Sequence, residues 1–264
     1  MMHLTIEQIV LSVVSGGIVG FALGLIGGGG SILAVPLLLY VVGIKDAHLV
    51  IGTTAFAVAI NAFINLFPHW RAGHVKWLAA VAFAVPGVVG TLVGSYLGKM
   101  MDGKALLFLF AIVMIVIAVL MIKPTRNQDQ SPQRMTLRFR KVSPVGLGTG
   151  ILSGFFGIGG GFLIVPGLMF ATGMAMTDAI GTSLFSVGVF GLSTSVSYAA
   201  SGLVDWFIVL LYIVGGVLGG FLGTKVSTVL GKSRRTLQYL FAGVIILVAI
   251  YMMVQNALAY GWIK

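Results

Sequence analysis

The stretch GLIGGGGSILAVP at residues 24–36 returns as GFFGIGGGFLIVP at residues 154–166, and the reading of this pair decides the fold. At an offset of 130, Gly27, Gly29, Gly30, Leu33, Val35 and Pro36 fall on Gly157, Gly159, Gly160, Leu163, Val165 and Pro166. Upstream, Gly16, Gly20 and Gly24 fall on Gly146, Gly150 and Gly154. Downstream, with one residue deleted, Gly52-Thr53-Thr54 falls on Gly181-Thr182-Ser183, Gly73 on Gly202, Trp77 on Trp206, and Gly90 and Gly94 on Gly219 and Gly223. Duplication with glycine-interrupted apolar segments at corresponding positions is the pattern of secondary transporters, whose site is expected where the helices break.

Composition agrees. Charged residues make up 8% of the chain and hydrophobic residues 58%, with a mean hydropathy of +1.09. Soluble domains carry about a quarter charged residues, so the chain is read as an all-α polytopic membrane protein. Apolar runs at 46–66, 76–98, 103–122, 204–224 and 236–256 reach the ~20 residues that a spanning helix needs. The first residues, MMHLTIEQIV, hold no Lys or Arg ahead of the apolar stretch and no small-residue cleavage pattern, so residues 9–26 are expected to stay in the protein. The absence of cysteine excludes disulfides, iron–sulfur ligation and thiolate metal sites, and no cofactor or metal is expected. A net charge of +10 does not point to nucleic acid, because the basic residues lie in loops between apolar runs and report topology.

The apolar stretches after the glycine clusters, 32–43 and 162–172, rise only about 18 Å as helix and span nothing alone. Each either continues the preceding helix as one kinked span, giving eight spans, or folds back as a hairpin. With eight spans the loop charges divide +6 against +4; with hairpins they divide +10 against 0. Cytoplasmic loops collect Lys and Arg, so the hairpin reading is preferred. The expected fold is two inverted-topology repeats, each a glycine-broken helical hairpin plus three full spans. The first repeat covers residues 1–122 and the second 142–264, joined by a cytoplasmic basic linker at 123–141, with both termini outside.

The candidate substrate site follows from the breaks. Gly27, Gly28, Gly29, Gly30 and Ser31, with Gly157, Gly159, Gly160 and Gly161, place bare backbone ahead of short helices, where N–H groups and the helix dipole hold an oxyanion without a buried cation. Close packing of hairpins uses glycine equally well. Thr54, Asn61 and Asn65, with Ser183, Ser186, Ser193 and Ser197 as their counterpart, form polar stripes on the next helices, which Thr53 and Thr182 help to open; Thr53, Thr54, Asn61, Thr182 and Ser183 are candidate ligands for anion oxygens, and the plainer alternative is hydroxyls bonding their own backbone and asparagines bridging helices. Pro36 and Pro166 are candidate hinges or simple kinks. His69, Arg71, His74 and Lys76 form a candidate basic cytoplasmic mouth, or mark topology alone, while Gly90, Gly94 and Gly98 and Gly215, Gly219 and Gly223 are packing faces without chemistry.

No enzyme activity is expected. An intramembrane hydrolase needs a nucleophile beside a base, and His3, His48, His69 and His74 all lie near loops or span ends. A passive anion channel is the nearer alternative to a carrier. The six acidic residues, Glu7, Asp46, Asp102, Asp129, Asp178 and Asp205, fall in loops or at span ends, which leaves no carboxylate relay across the membrane.

GGGGSILAVP with GIGGGFLIVP, GTT with GTS, the GxVxW pattern at Gly73–Trp77 and Gly202–Trp206, and PGVVGTLVG with GGVLGGFLG together resemble the sulfite exporter TauE/SafE family over nearly the whole chain. The resemblance implies a bacterial inner-membrane protein that moves sulfite, an organosulfonate or a related small sulfur anion. Its partners are then that anion and the lipid bilayer.

Overall fold

The computed structural model describes residues 4–122, 139–157, 159, 161–229 and 234–259. Helices account for nearly all of them, and they occur in the same succession twice. In the first half, α1 (Ile6–Ile26) runs into a seven-residue 3-10 turn (Gly27–Leu33), then α2 (Ala34–Pro36) and a π turn (Leu37–Val41). Three long helices follow: α3 (Ala47–Arg71), α4 (Trp77–Met100) and α5 (Gly103–Ile122). The second half repeats this as α6 (Phe139–Phe156), α7 (Gly161–Thr172), α8 (Met176–Ala199), α9 (Trp206–Val229) and α10 (Arg234–Ala259). Among the described residues, α1, α3, α4, α8 and α9 are long and apolar enough to cross a membrane. Most of the expected linker, residues 123–138, lies outside the described residues, and α6 begins at Phe139 within the remainder of it.

Three of the acidic residues prove to be helix caps. Asp46 accepts from the His48 and Leu49 amides at 2.9 and 3.1 Å, Asp102 from those of Lys104 and Ala105 at 3.1 and 3.2 Å, and Asp205 from those of Phe207 and Ile208 at 3.0 and 3.1 Å. A carboxylate at an N-terminus satisfies orphan donors and complements the dipole, so these charges are needed where the helices start. Thr5 and Gln8 close a capping box on α1.

The chain folds back at the first glycine cluster. Gly27 adopts φ +74°, a conformation open to glycine, and reverses the direction of α1. Gln8 Nε2 then donates to the Val42 carbonyl at 3.2 Å, which ties the end of the return arm to the first turn of α1. The hairpin reading of the first repeat therefore holds. The return arm is less regular than expected: the glycines themselves wind into a 3-10 turn, and the chain widens into a π turn just after Pro36, whose ring supplies no N–H.

Glycine ladders join the halves crosswise. A methyl group at Gly90, Gly94 or Gly98 of α4 would overlap the carbonyl oxygens of Leu147, Ile151 and Phe155 of α6 in turn. Gly215, Gly219 and Gly223 of α9 stand in the same way on Val13, Gly17 and Phe21 of α1. The numbers rise together in both pairs, so each pair packs parallel with backbones in direct approach, as small residues allow where lipid gives no hydrophobic drive between helices. The opposite face of α1 carries Ile6, Val10, Val14 and Ile18, exposed as a stripe fit for acyl chains. In contrast, α3 and α8 cross antiparallel: Gly52 meets Tyr198 and Leu203, Gly191 meets Ala55 and Ala59, and Gly181 meets His74.

Candidate functional site

The two glycine breaks meet each other. Gly28 and Gly161 lie backbone to backbone, each so close to the other that neither tolerates a Cβ. Around this crossing, Gly27 packs on Ile180, Gly157 on Ile51, and Gly159 between Val58 and Val187, so that α3 and α8 form the flanks. Gly157 and Gly159 take φ +67° and +66°. Gly30 returns against Ala22 and Leu23 of α1, and Gly29 is part of the same 3-10 turn. Gly160 lies outside the described residues.

Ser183 reaches the crossing from α8. Its Oγ accepts from the Gly28 amide at 3.5 Å and donates to the Ile180 carbonyl at 2.7 Å. Ser31 closes the turn from within, donating to the Gly28 carbonyl at 2.9 Å. Thr54, the repeat counterpart of Ser183, donates back to Val50 at 2.7 Å, the local bond that hydroxyls in helices often make. Asn61 is fully buried with neither amide atom hydrogen-bonded, and lies against Gly216 of α9; Ser186 is also buried and unpartnered. A buried polar group without a partner costs about 1–3 kcal/mol, so Asn61 and Ser186 are positioned to gain from a polar ligand. None of the residues named at the crossing is charged.

Thr53 and Thr182 hold the halves together. Thr53 Oγ1 accepts from the Asp205 amide at 3.0 Å, and Thr182 Oγ1 from the Lys76 amide at 3.0 Å. Each hydroxyl thus fastens the loop that starts a long helix of the other half. This exchange was not foreseen from the sequence, although the alignment of Gly52-Thr53 with Gly181-Thr182 carried the signal.

Pro36 ends α2, and Pro166 lies inside α7. At the expected cytoplasmic end, the four basic residues make separate contacts. His74 Nδ1 and Lys76 Nζ meet Asp178 of α8 at 3.2 and 3.1 Å. Arg71 instead turns over the Phe67 ring at 5.8 Å, and His69 faces the Gly24 backbone. At the other end, Lys99 donates to the Ser197 carbonyl at 2.8 Å and the Ser201 hydroxyl at 3.1 Å. Among the described residues, no group of three or more His, Asp or Glu could hold a metal.

The profile of the family described as sulfite exporter TauE/SafE matches residues 12–252. A probable membrane transporter protein of Xylella fastidiosa strain 9a5c is 50% identical over 253 residues, covering 94% of this chain and 96% of its own. The probable membrane transporter protein YunE of Bacillus subtilis is 27% identical over 240 residues, with 83% and 88% covered. MJ0441 of Methanocaldococcus jannaschii, also named a probable membrane transporter protein, is 29% identical over 231 residues, with 80% and 84% covered. The apolar helices and crosswise halves described above fit these matches, and the chain belongs to the sulfite exporter TauE/SafE family as an integral membrane transporter.

Proposed function

We propose that this transporter exports a small sulfur oxyanion, sulfite or an organosulfonate, by alternating access between two inverted-topology repeats, residues 1–122 and 142–264. The observation that carries the reading is the meeting of Gly28 and Gly161 between α3 and α8, with Ser183 at the Gly28 amide. In this reading the backbone of Gly27, Gly28, Gly29, Gly30 and Ser31, and of Gly157, Gly159, Gly160 and Gly161, surrounds the anion. Ser183, by turning its hydroxyl away from the Ile180 carbonyl, and Asn61 supply side-chain donors, and Thr53, Thr54 and Thr182 brace them. Pro36 and Pro166 are the points where the arms bend. Dipoles suffice for an oxyanion, and they spare the membrane interior a fixed cation, which costs at least several kcal/mol there.

The antiparallel crossing of α3 and α8, counterparts in the two halves, supports opposite orientations for the repeats. So does charge pairing: Asp178 lies with His74 and Lys76, on the side that the hairpin topology assigns to all three. With the cytoplasm negative, outward movement of one negative charge gains about 2.3 kcal/mol per 100 mV, so export needs no coupling ion.

Counterflow in proteoliposomes tests the function. Vesicles loaded with unlabelled sulfite are expected to accelerate uptake of labelled sulfite, as a carrier returning loaded does. Uptake indifferent to internal sulfite contradicts alternating access and indicates a channel. Asn61→Leu is expected to lower flux per folded molecule at least tenfold, and unchanged flux removes Asn61 from the site.

A further inference from the structure

Helix α3 carries a histidine at each end, and each has a ring nitrogen buried without a partner. His48 lies in its first turn and His69 in its last, 21 residues apart, a rise of about 31 Å that matches a hydrocarbon core. His48 Nε2 is 3.1 Å from the Met101 carbonyl oxygen. A carbonyl only accepts, so Nε2 carries the hydrogen and Nδ1 the lone pair. That Nδ1 is buried without a partner. The Nε2 of His69 is likewise buried without a partner. His48 therefore spends its donor on a carbonyl and keeps a free basic nitrogen inside the protein, and His69 holds an unpartnered ring nitrogen of its own.

The surroundings differ at the two ends. Around His48, the Tyr198 ring of α8 lies 6.3 Å away with its hydroxyl buried and unpartnered. Lys99 of α4 stands 5.7 Å over that ring. Asp46 caps the His48 amide, and Asp102 and Lys104 flank Gly103, which packs near the imidazole. Around His69 lie Arg71 on its own helix, His74 beyond it with Lys76 and Asp178, and Lys225 of α9 following Thr224, which packs at Gly24. In α8 the counterparts of the two histidines are Thr177 and Tyr198, so the imidazoles belong to one repeat alone.

We propose that His48 and His69 are two further anion stations, one at each membrane face, which bind the anion by taking up a proton. The proton comes from water onto the free ring nitrogen; the imidazolium N–H then donates to an anion oxygen, with the Tyr198 hydroxyl as a second donor at the His48 end. On release of the anion the N–H bond breaks and the proton returns to water. Each station offers a cation while loaded and none while empty, which suits a pathway whose centre holds no charge. The inference rests on the sulfur-oxyanion reading.

Titration calorimetry of the purified full chain with sulfite tests it, at about pH 8.5, where free imidazole is neutral and the sulfite itself is ionised. Run in buffers of different ionisation enthalpy, the wild type is expected to take up about one proton per anion bound. His48→Gln keeps a donor where Nε2 donates, and His69→Asn keeps a polar side chain; neither amide takes a proton. Each variant is expected to lower the proton uptake, and the double variant to bring it near zero. No binding of sulfite at all overturns both the function and this inference. Binding with no proton uptake, or uptake unchanged in both single variants, overturns this inference alone.

Discussion

At Gly28 and Gly161 a hydrogen atom is all the side chain the structure admits, because each α-carbon faces the backbone of the other. Gly161→Ala is expected to cost about 1–3 kcal/mol as an overpacked contact, seen as a lower melting temperature in detergent. Gly148→Ala, in α6 with open space around the position, is the control. It is expected to hold or raise stability, since alanine favours helix by up to about 1 kcal/mol; equal losses in the two variants contradict the close crossing. The glycine clusters contained these two residues although the alignment paired neither, Gly28 falling on Ile158 and Gly161 on Ser31, and both readings offered for the clusters, anion contact and close packing, remain compatible, since backbone that touches backbone also leaves its dipoles uncovered by side chains. What no alignment could reveal was which hydroxyl reaches them. Thr54 and Ser183 are equivalent in the sequence and both donate to their own helix, yet only the serine also accepts from a glycine amide at the crossing.

Among the elements, the hairpin was legible and the partners of its first arm were not. The 18 Å reach of the short helix and the placement of Lys and Arg forced a fold-back. The glycine ladders at spacing four announced close packing, but a ladder on α1 pairs as well with its own repeat as with the other. The choice of α9 is made by complementary ladders on both helices, with Gly16, Gly20 and Gly24 answered at Tyr212, Gly216 and Gly220. The two threonine bonds add a latch between halves at each end. Thr53→Val and Thr182→Val are each expected to lower stability by about 1 kcal/mol, the worth of one hydrogen bond. Thermal unfolding reads the loss. A double variant equal to wild type contradicts the latch.

On the scale of the molecule, the opposite orientation proposed for the halves has a simple consequence for labelling. Ala72 and Ser201 are exposed in corresponding loops, after α3 and after α8, and the chain contains no native cysteine to interfere. Ala72→Cys is expected to be protected from a membrane-impermeant thiol reagent in intact cells and Ser201→Cys to be labelled; labelling of both from outside contradicts inverted repeats. The fold class and the family were readable because duplication and hydropathy are properties of whole segments. The site was readable only in part, since ligand contacts depend on where helices from different halves cross. The central claim remains that the anion is held by backbone and hydroxyl groups at the glycine crossing, ahead of any fixed cation at the mouth. Sulfite affinity of Ser183→Ala and Arg71→Gln, measured side by side by calorimetry, tests it most directly. A hydrogen bond to a charged ligand is worth about 1.5–3 kcal/mol, so Ser183→Ala is expected to bind about ten- to a hundredfold more weakly, with Arg71→Gln within about twofold of wild type. Unchanged affinity in Ser183→Ala together with lost binding in Arg71→Gln would place the site at the mouth and contradict the account.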